Sequence, residues 1–117
     1  MKPHVLILED DFLLAANLEE LVQDDLHAEP IGVSTVAEAL QILPDDVDFA
    51  LIDIEVRDGK SYPVARKLIK SEIPFIIISG NDSRSLPEDL KEAPFLPKPV
   101  ATGRLVRLAK ALSTAFQ

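Results

Sequence analysis

Val5-Leu6-Ile7-Leu8-Glu9-Asp10-Asp11 decides the fold: an unbroken apolar run that ends in three carboxylates. Four apolar residues without polar alternation suit a strand covered on both faces, as in a parallel sheet flanked by helices. The design recurs downstream. Phe49–Ile52 runs into Asp53, and Phe75–Ile78 runs into Ser79 and Gly80. Ile31–Val33 and Phe95–Leu96 are shorter, weaker strand candidates, the second of them leading to Lys98.

Helical spacing fills the gaps between these runs. In Phe12–Leu26, Leu14, Leu18, Leu21 and Val22 form one stripe, with Glu19, Glu20, Asp24 and Asp25 mostly outside it. Asp11 reads best as a negative charge that favours the start of this helix through its dipole. Thr35, with Glu38 three residues on, predicts a capping box for a helix that reaches Leu43 and stops at Pro44. Ser61 is expected to cap the next helix, with Pro63 in its first turn and Val64, Ala65, Leu68 and Ile69 facing inward. Pro74 ends it. The last helix runs from about Ala101 to Ala115, with Leu105, Leu108, Ala109 and Leu112 on one face. Before it lies a polar stretch, Gly80–Pro87, and any helix there is confined to Glu88–Glu92. So short a helix is marginal, and the region is expected to be mobile.

Strands alternating with helices imply right-handed crossovers and one parallel sheet. The expectation is an α/β, flavodoxin-like, doubly wound five-stranded sheet of order 2-1-3-4-5, with a short or disordered fourth helix. Residues 1–117 are read as a single domain.

Composition bounds the function. The formal net charge of -8 disfavours direct nucleic-acid binding, which rests on phosphate neutralisation by Lys and Arg. The absence of cysteine excludes thiol catalysis, disulfides and Cys-based metal sites. No apolar run approaches membrane-spanning length, and no signal-type segment leads the chain, so a cytoplasmic location is expected.

In an open α/β sheet, functional groups gather beyond the carboxyl ends of the strands. That edge would collect Glu9, Asp10 and Asp11, then Asp53 and Glu55, then Ser79 and Gly80, then Lys98. Two carboxylates about 4 Å apart repel by roughly 4 kcal/mol at an effective dielectric of about 20, so such a cluster calls for a cation. Hard oxygen ligands that leave room for phosphate oxygens suit Mg²⁺, with Ser79 and Lys98 placed to hold a phosphoryl group.

Val5–Asp11, Phe49–Glu55, Pro74–Gly80 and Phe95–Pro99, in that order, resemble the receiver domain of two-component response regulators. The resemblance implies that Asp53 is the phosphorylation site and that Glu9, Asp10, Asp53 and Glu55 hold Mg²⁺, Glu9 mainly through water and Glu55 by its backbone carbonyl. It implies phosphate binding by Ser79, Gly80 and Lys98, a switch made of Ser79 and Phe95, and a cis Lys98–Pro99 peptide. The implied donor is a histidine kinase or phosphotransfer protein, docking near Phe12, Leu13 and Ala16. The implied output is a downstream protein whose identity stays open, and the chain is a signalling phosphoacceptor rather than an enzyme, monomeric or weakly dimeric. Arg57 stands where the family usually has proline. The short Ser79–Lys98 interval is similar to an atypical group whose fourth helix is reduced. Glu55 adds a negative charge beside the acceptor, which would alter how water reaches an acyl phosphate.

Two other classes fit parts of the pattern. A Mg²⁺-dependent phosphatase or nucleic-acid enzyme would use the carboxylates but leave Ser79 and Lys98 idle. A pure interaction module would keep the fold without phosphorylation. The basic stripe Arg104, Arg107 and Lys110 reads as a solvated helix face before it reads as a partner surface, and His4 and His27 lie outside the cluster.

Overall fold

The apolar runs meet side by side. In the computed structural model, which describes residues 1–117, β1 (His4–Leu8), β2 (Glu29–Val33), β3 (Phe49–Asp53), β6 (Phe75–Ser79) and β7 (Phe95–Pro97) form one sheet, all neighbours parallel. Its order is β2-β1-β3-β6-β7, the doubly wound arrangement read from the sequence. Pro30 lies in β2, where an edge position tolerates a missing N–H. Two further strands, β4 (Glu55–Val56) and β5 (Gly59–Lys60), make a small antiparallel hairpin that the sequence pattern did not announce.

Helices cover both faces: α1 (Phe12–Asp24), α2 (Val36–Ile42), α3 (Tyr62–Lys70) and α4 (Thr102–Leu112). The strands' two-residue alternation sorts the core. Leu6, Leu8, Ala50, Ile52 and Ile77 face Ala39 of α2 and Val64, Ala65 and Leu68 of α3. Val5, Ile7, Leu51, Ile76 and Ile78 face Leu18, Leu21 and Val22 of α1 and Leu105 and Ala109 of α4.

Local chemistry explains the helix ends. Asp11 caps α1, its Oδ1 accepting from the N–H groups of Leu13 and Leu14 at 3.0 and 3.2 Å. Thr35 Oγ1 accepts from Glu38 N–H at 3.1 Å, as expected. Glu38, however, reaches back to Ser34 N–H rather than to that of Thr35. α1 and α4 are shorter than read: Asp25 ends the first, and Ser113 turns the last into a single 3₁₀ turn, Thr114–Phe116.

The place of a fourth helix between β6 and β7 holds two 3₁₀ turns, Ser83–Ser85 and Glu88–Leu90. Pro87 and Pro94 leave between them a span of fewer than two helical turns. The segment's second half is anchored. Leu86 and Leu90 are buried in the core on the α2/α3 side, and Asp89 accepts from Arg66 of α3 at 2.8 and 3.2 Å.

Candidate functional site

The register sets the site. Leu8 pairs with Ile52, Asp53 with Ile78, and Ser79 with Pro97, so Glu9, Asp53, Ser79 and Lys98 emerge at one carboxyl edge. Glu9, Asp53 and Ser79 are buried at 4%, 7% and 2% exposure, which is unusual for polar groups and demands partners.

Lys98 supplies one. Its Nζ donates to Asp53 Oδ2 at 2.9 Å and stands 3.1 Å from Glu9 Oε1. The second contact lies off the hydrogen-bonding direction, so buried Glu9 Oε1 has no hydrogen-bond partner. Glu9 Oε2 accepts from Asp11 N–H at 3.0 Å. Ser79 Oγ accepts from Asn81 N–H at 3.1 Å. Ligand oxygens of Glu9, Asp10 and Asp53 all lie within 4.8 Å of one another.

Three carboxylates therefore face one ammonium. Burial pushes the Glu9 carboxyl above the usual carboxylate range, with the Asp53 charge adding to it against the pull of Asp11 N–H and Lys98. Burial also works against the charge on Lys98, but its hydrogen bond to Asp53 and its pairing with Glu9 outweigh this and hold its pKa above the ordinary lysine value. An orphaned buried oxygen, hard donors within one coordination radius and uncompensated negative charge together fit a divalent cation.

Comparison with known proteins gives the family. No family model matches the chain. It is 37% identical over 101 residues to the phyllosphere-induced regulator PhyR of Methylorubrum extorquens, spanning 82% of this chain and 38% of that regulator's length. Its structure is similar to that of SdrG from Sphingomonas melonis, with 34% identity, a TM-score of 0.80 and coverage of 95% and 96% of the two chains. It is also similar to the HemR receiver domain of Leptospira biflexa, with 27% identity, a TM-score of 0.79 and coverage of 96% and 95%.

The chain belongs to the response-regulator receiver-domain family.

Not every residue singled out in this receiver domain lies inside the buried cluster. The Glu55 side chain is exposed on the β4–β5 hairpin and ion-paired with Lys60, whose hydrogen bond and charge hold its carboxyl below the usual range. Gly80, next to Ser79, is exposed, with open space at its α-carbon. Phe95 is half-buried, packed at the edge of the core that α2 and α3 cover. The Lys98–Pro99 peptide is cis, as the resemblance implied. Arg104, Arg107 and Lys110 are exposed on α4.

Two polar residues were missed or misread. Asp58, in the hairpin turn, accepts from Val36 and Ala37 N–H at 2.7 and 3.2 Å, tying the loop after Asp53 to the start of α2. The Asp58-Gly59 dipeptide was the available signal for that turn. Ser61 occupies the cap position of α3 as expected, but its hydroxyl makes no cap; it donates to the Asp53 carbonyl. Pro63 explains this: the second helical N–H, a usual capping target, is absent, and Val64 N–H is taken by Ser61's own carbonyl at 3.0 Å.

Proposed function

We propose that this receiver domain is a phosphoacceptor, taking a phosphoryl group from a histidine kinase or phosphotransfer protein onto Asp53 and changing its partner binding in response. The observation that carries the reading is the Asp53 carboxylate: buried at the strand edge, held by Lys98 at 2.9 Å and flanked by Glu9 and Asp10.

An Asp53 carboxylate oxygen attacks the phosphorus of phosphohistidine in line. The P–O bond forms, the P–N bond breaks, and the leaving imidazole nitrogen keeps the electron pair and takes up a proton. Lys98 Nζ, already at the carboxylate, shifts to a phosphoryl oxygen as negative charge moves onto it. The Ser79 hydroxyl leaves Asn81 N–H and donates to a second oxygen, and exposed Gly80 leaves the approach open. Glu9, Asp10, Asp53 and the Glu55 backbone carbonyl would hold Mg²⁺, which supplies charge neutralisation for the transferred group. Water later attacks the phosphorus, releasing inorganic phosphate and restoring the carboxylate.

Phosphorylation then biases a two-state equilibrium in which Ser79 turns inward, Phe95 follows and the 80–93 segment reorders for a downstream protein. The donor docks on the first half of α1, where Phe12 and Leu13 are 87% and 70% exposed and Ala16 is also exposed.

The test is intact mass after incubation with acetyl phosphate and Mg²⁺, for wild type and for Asp53→Asn. One phosphoryl gain in wild type alone supports the reading. Gain in both moves the acceptor elsewhere, and gain in neither, with a partner kinase also failing, favours an interaction module.

A further inference from the structure

Four polar or charged residues are buried: Glu9, Asp53, Ser61 and Ser79. Three of them make up the site described above. The fourth, Ser61, is fully enclosed and eight residues beyond Asp53 in the chain, and no role proposed so far uses it. Its hydroxyl donates to the Asp53 carbonyl oxygen, and its N–H donates to the Ile54 carbonyl at 2.8 Å. Its own carbonyl accepts from Val64 and Ala65 N–H at 3.0 and 3.2 Å, starting α3.

These bonds make Ser61 a clasp. β3 ends at Asp53, and the chain leaves the sheet for the β4–β5 hairpin before returning at Ser61. Both peptide carbonyls between the acceptor and Glu55 are held by this one residue. Serine is a favoured helix cap, yet here the hydroxyl forgoes capping and faces the acceptor's main chain. With the capping N–H lost to Pro63, the bond that the buried hydroxyl makes is to the acceptor's own peptide.

We propose that Ser61 is a positioning residue for the phosphorylation site. By fixing the Asp53 and Ile54 carbonyls, it sets the direction in which the Asp53 carboxylate projects and the place of the Glu55 carbonyl. Both belong to the cation and phosphoryl site under the phosphoacceptor reading, on which this inference rests. Residues that orient first ligands from behind typically change metal affinity or activity by about 10–100-fold when removed.

The experiment compares wild type, Ser61→Ala, Ser61→Thr and the remote core variant Val22→Ala, all well below their melting temperatures. Val22 is buried on the opposite face of the sheet and controls for lost stability alone. Two readouts are taken: Mg²⁺ affinity, from shifts of the Ile54 and Glu55 backbone amides in NMR titration, and the rate of labelling by acetyl phosphate. Ser61→Ala is expected to weaken Mg²⁺ binding about 10-fold and to slow labelling in parallel, while Val22→Ala changes neither. Ser61→Thr keeps the hydroxyl and is expected to restore both, and if Ser61→Ala does not fold, Ser61→Cys, of similar shape and a weaker donor, takes its place. Wild-type behaviour in Ser61→Ala, or losses no larger than those of Val22→Ala, overturns the inference. Mg²⁺ binding by wild type with no labelling by acetyl phosphate or by a partner kinase rejects the phosphoacceptor reading instead, and the Mg²⁺ comparison alone then decides the role of Ser61.

Discussion

Replacing Asp10 with asparagine should stabilise the protein when no divalent cation is present. Asp10 faces the carboxylates of Glu9 and Asp53 with ligand oxygens no more than 4.8 Å apart. At an effective dielectric of about 20, one such pair at that limit repels by about 3.5 kcal/mol. Two repulsions act on Asp10, and Lys98 offsets about one of them, since it lies at 2.9 Å from Asp53 and 3.1 Å from Glu9. Asp10 is itself only half-buried, so water screens most of the remainder. The expected net gain for Asp10→Asn is about 1 kcal/mol, or about 4 °C in melting temperature for a domain of this size. The assay is urea and thermal unfolding in chelator and again in Mg²⁺. At about tenfold over its dissociation constant, the cation adds about 1.4 kcal/mol to wild type and less to the variant, so the gap closes or reverses. A variant no more stable than wild type in chelator, or one gaining as much from Mg²⁺, would refute the picture of an under-neutralised cluster.

Other consequences are as direct. Glu72, exposed just past α3, holds a left-handed backbone with φ 58°, so Glu72→Gly should raise the urea midpoint by an amount equivalent to about 0.5–1 kcal/mol; an unchanged midpoint would show no strain there. Hydrogen bonds from Val36 and Ala37 N–H hold the Asp58 carboxyl below its ordinary range. A depressed folded-state pKa contributes stability above the unfolded pKa and loses it as pH falls through the folded value. Asp58→Ala should therefore be less stable than wild type at neutral pH, with the difference vanishing in acid; a pH-independent difference would rule out the carboxylate as its source. Leu13→Asp should slow transfer from a cognate kinase roughly 10-fold or more while leaving labelling by acetyl phosphate unchanged, and equal slowing of both would reject α1 as the docking face.

Much of this was legible in the chain because parallel strands buried on both faces are written as short apolar runs. Each run here stops at, or one residue before, a polar residue of the candidate site, so the residues just beyond Leu8, Ile52, Ile78 and Leu96 mark out that edge from the sequence alone. The β4–β5 hairpin was legible only in its Asp58-Gly59 turn, since its two-residue strands carry no apolar alternation. Ser61 was misread for a different reason. A serine ahead of a proline-bearing helix has the composition of a cap, and only the three-dimensional path of the hairpin turns its hydroxyl toward Asp53. Asp58 likewise bonds residues more than twenty positions away, beyond the reach of local pattern. In the 80–93 segment, the two prolines announced that no long helix forms, but the anchoring by Leu86 and Leu90 is a packing result.

The central claim is an acyl phosphate on Asp53, and the most direct measurement is its chemical trapping. Borohydride reduces an aspartyl phosphate to homoserine, and peptide mapping by mass spectrometry then locates the converted residue. After treatment with acetyl phosphate and Mg²⁺, the account predicts homoserine at position 53 and nowhere else. Homoserine at position 10 or 11, or an unconverted chain that still carries phosphate, would contradict it.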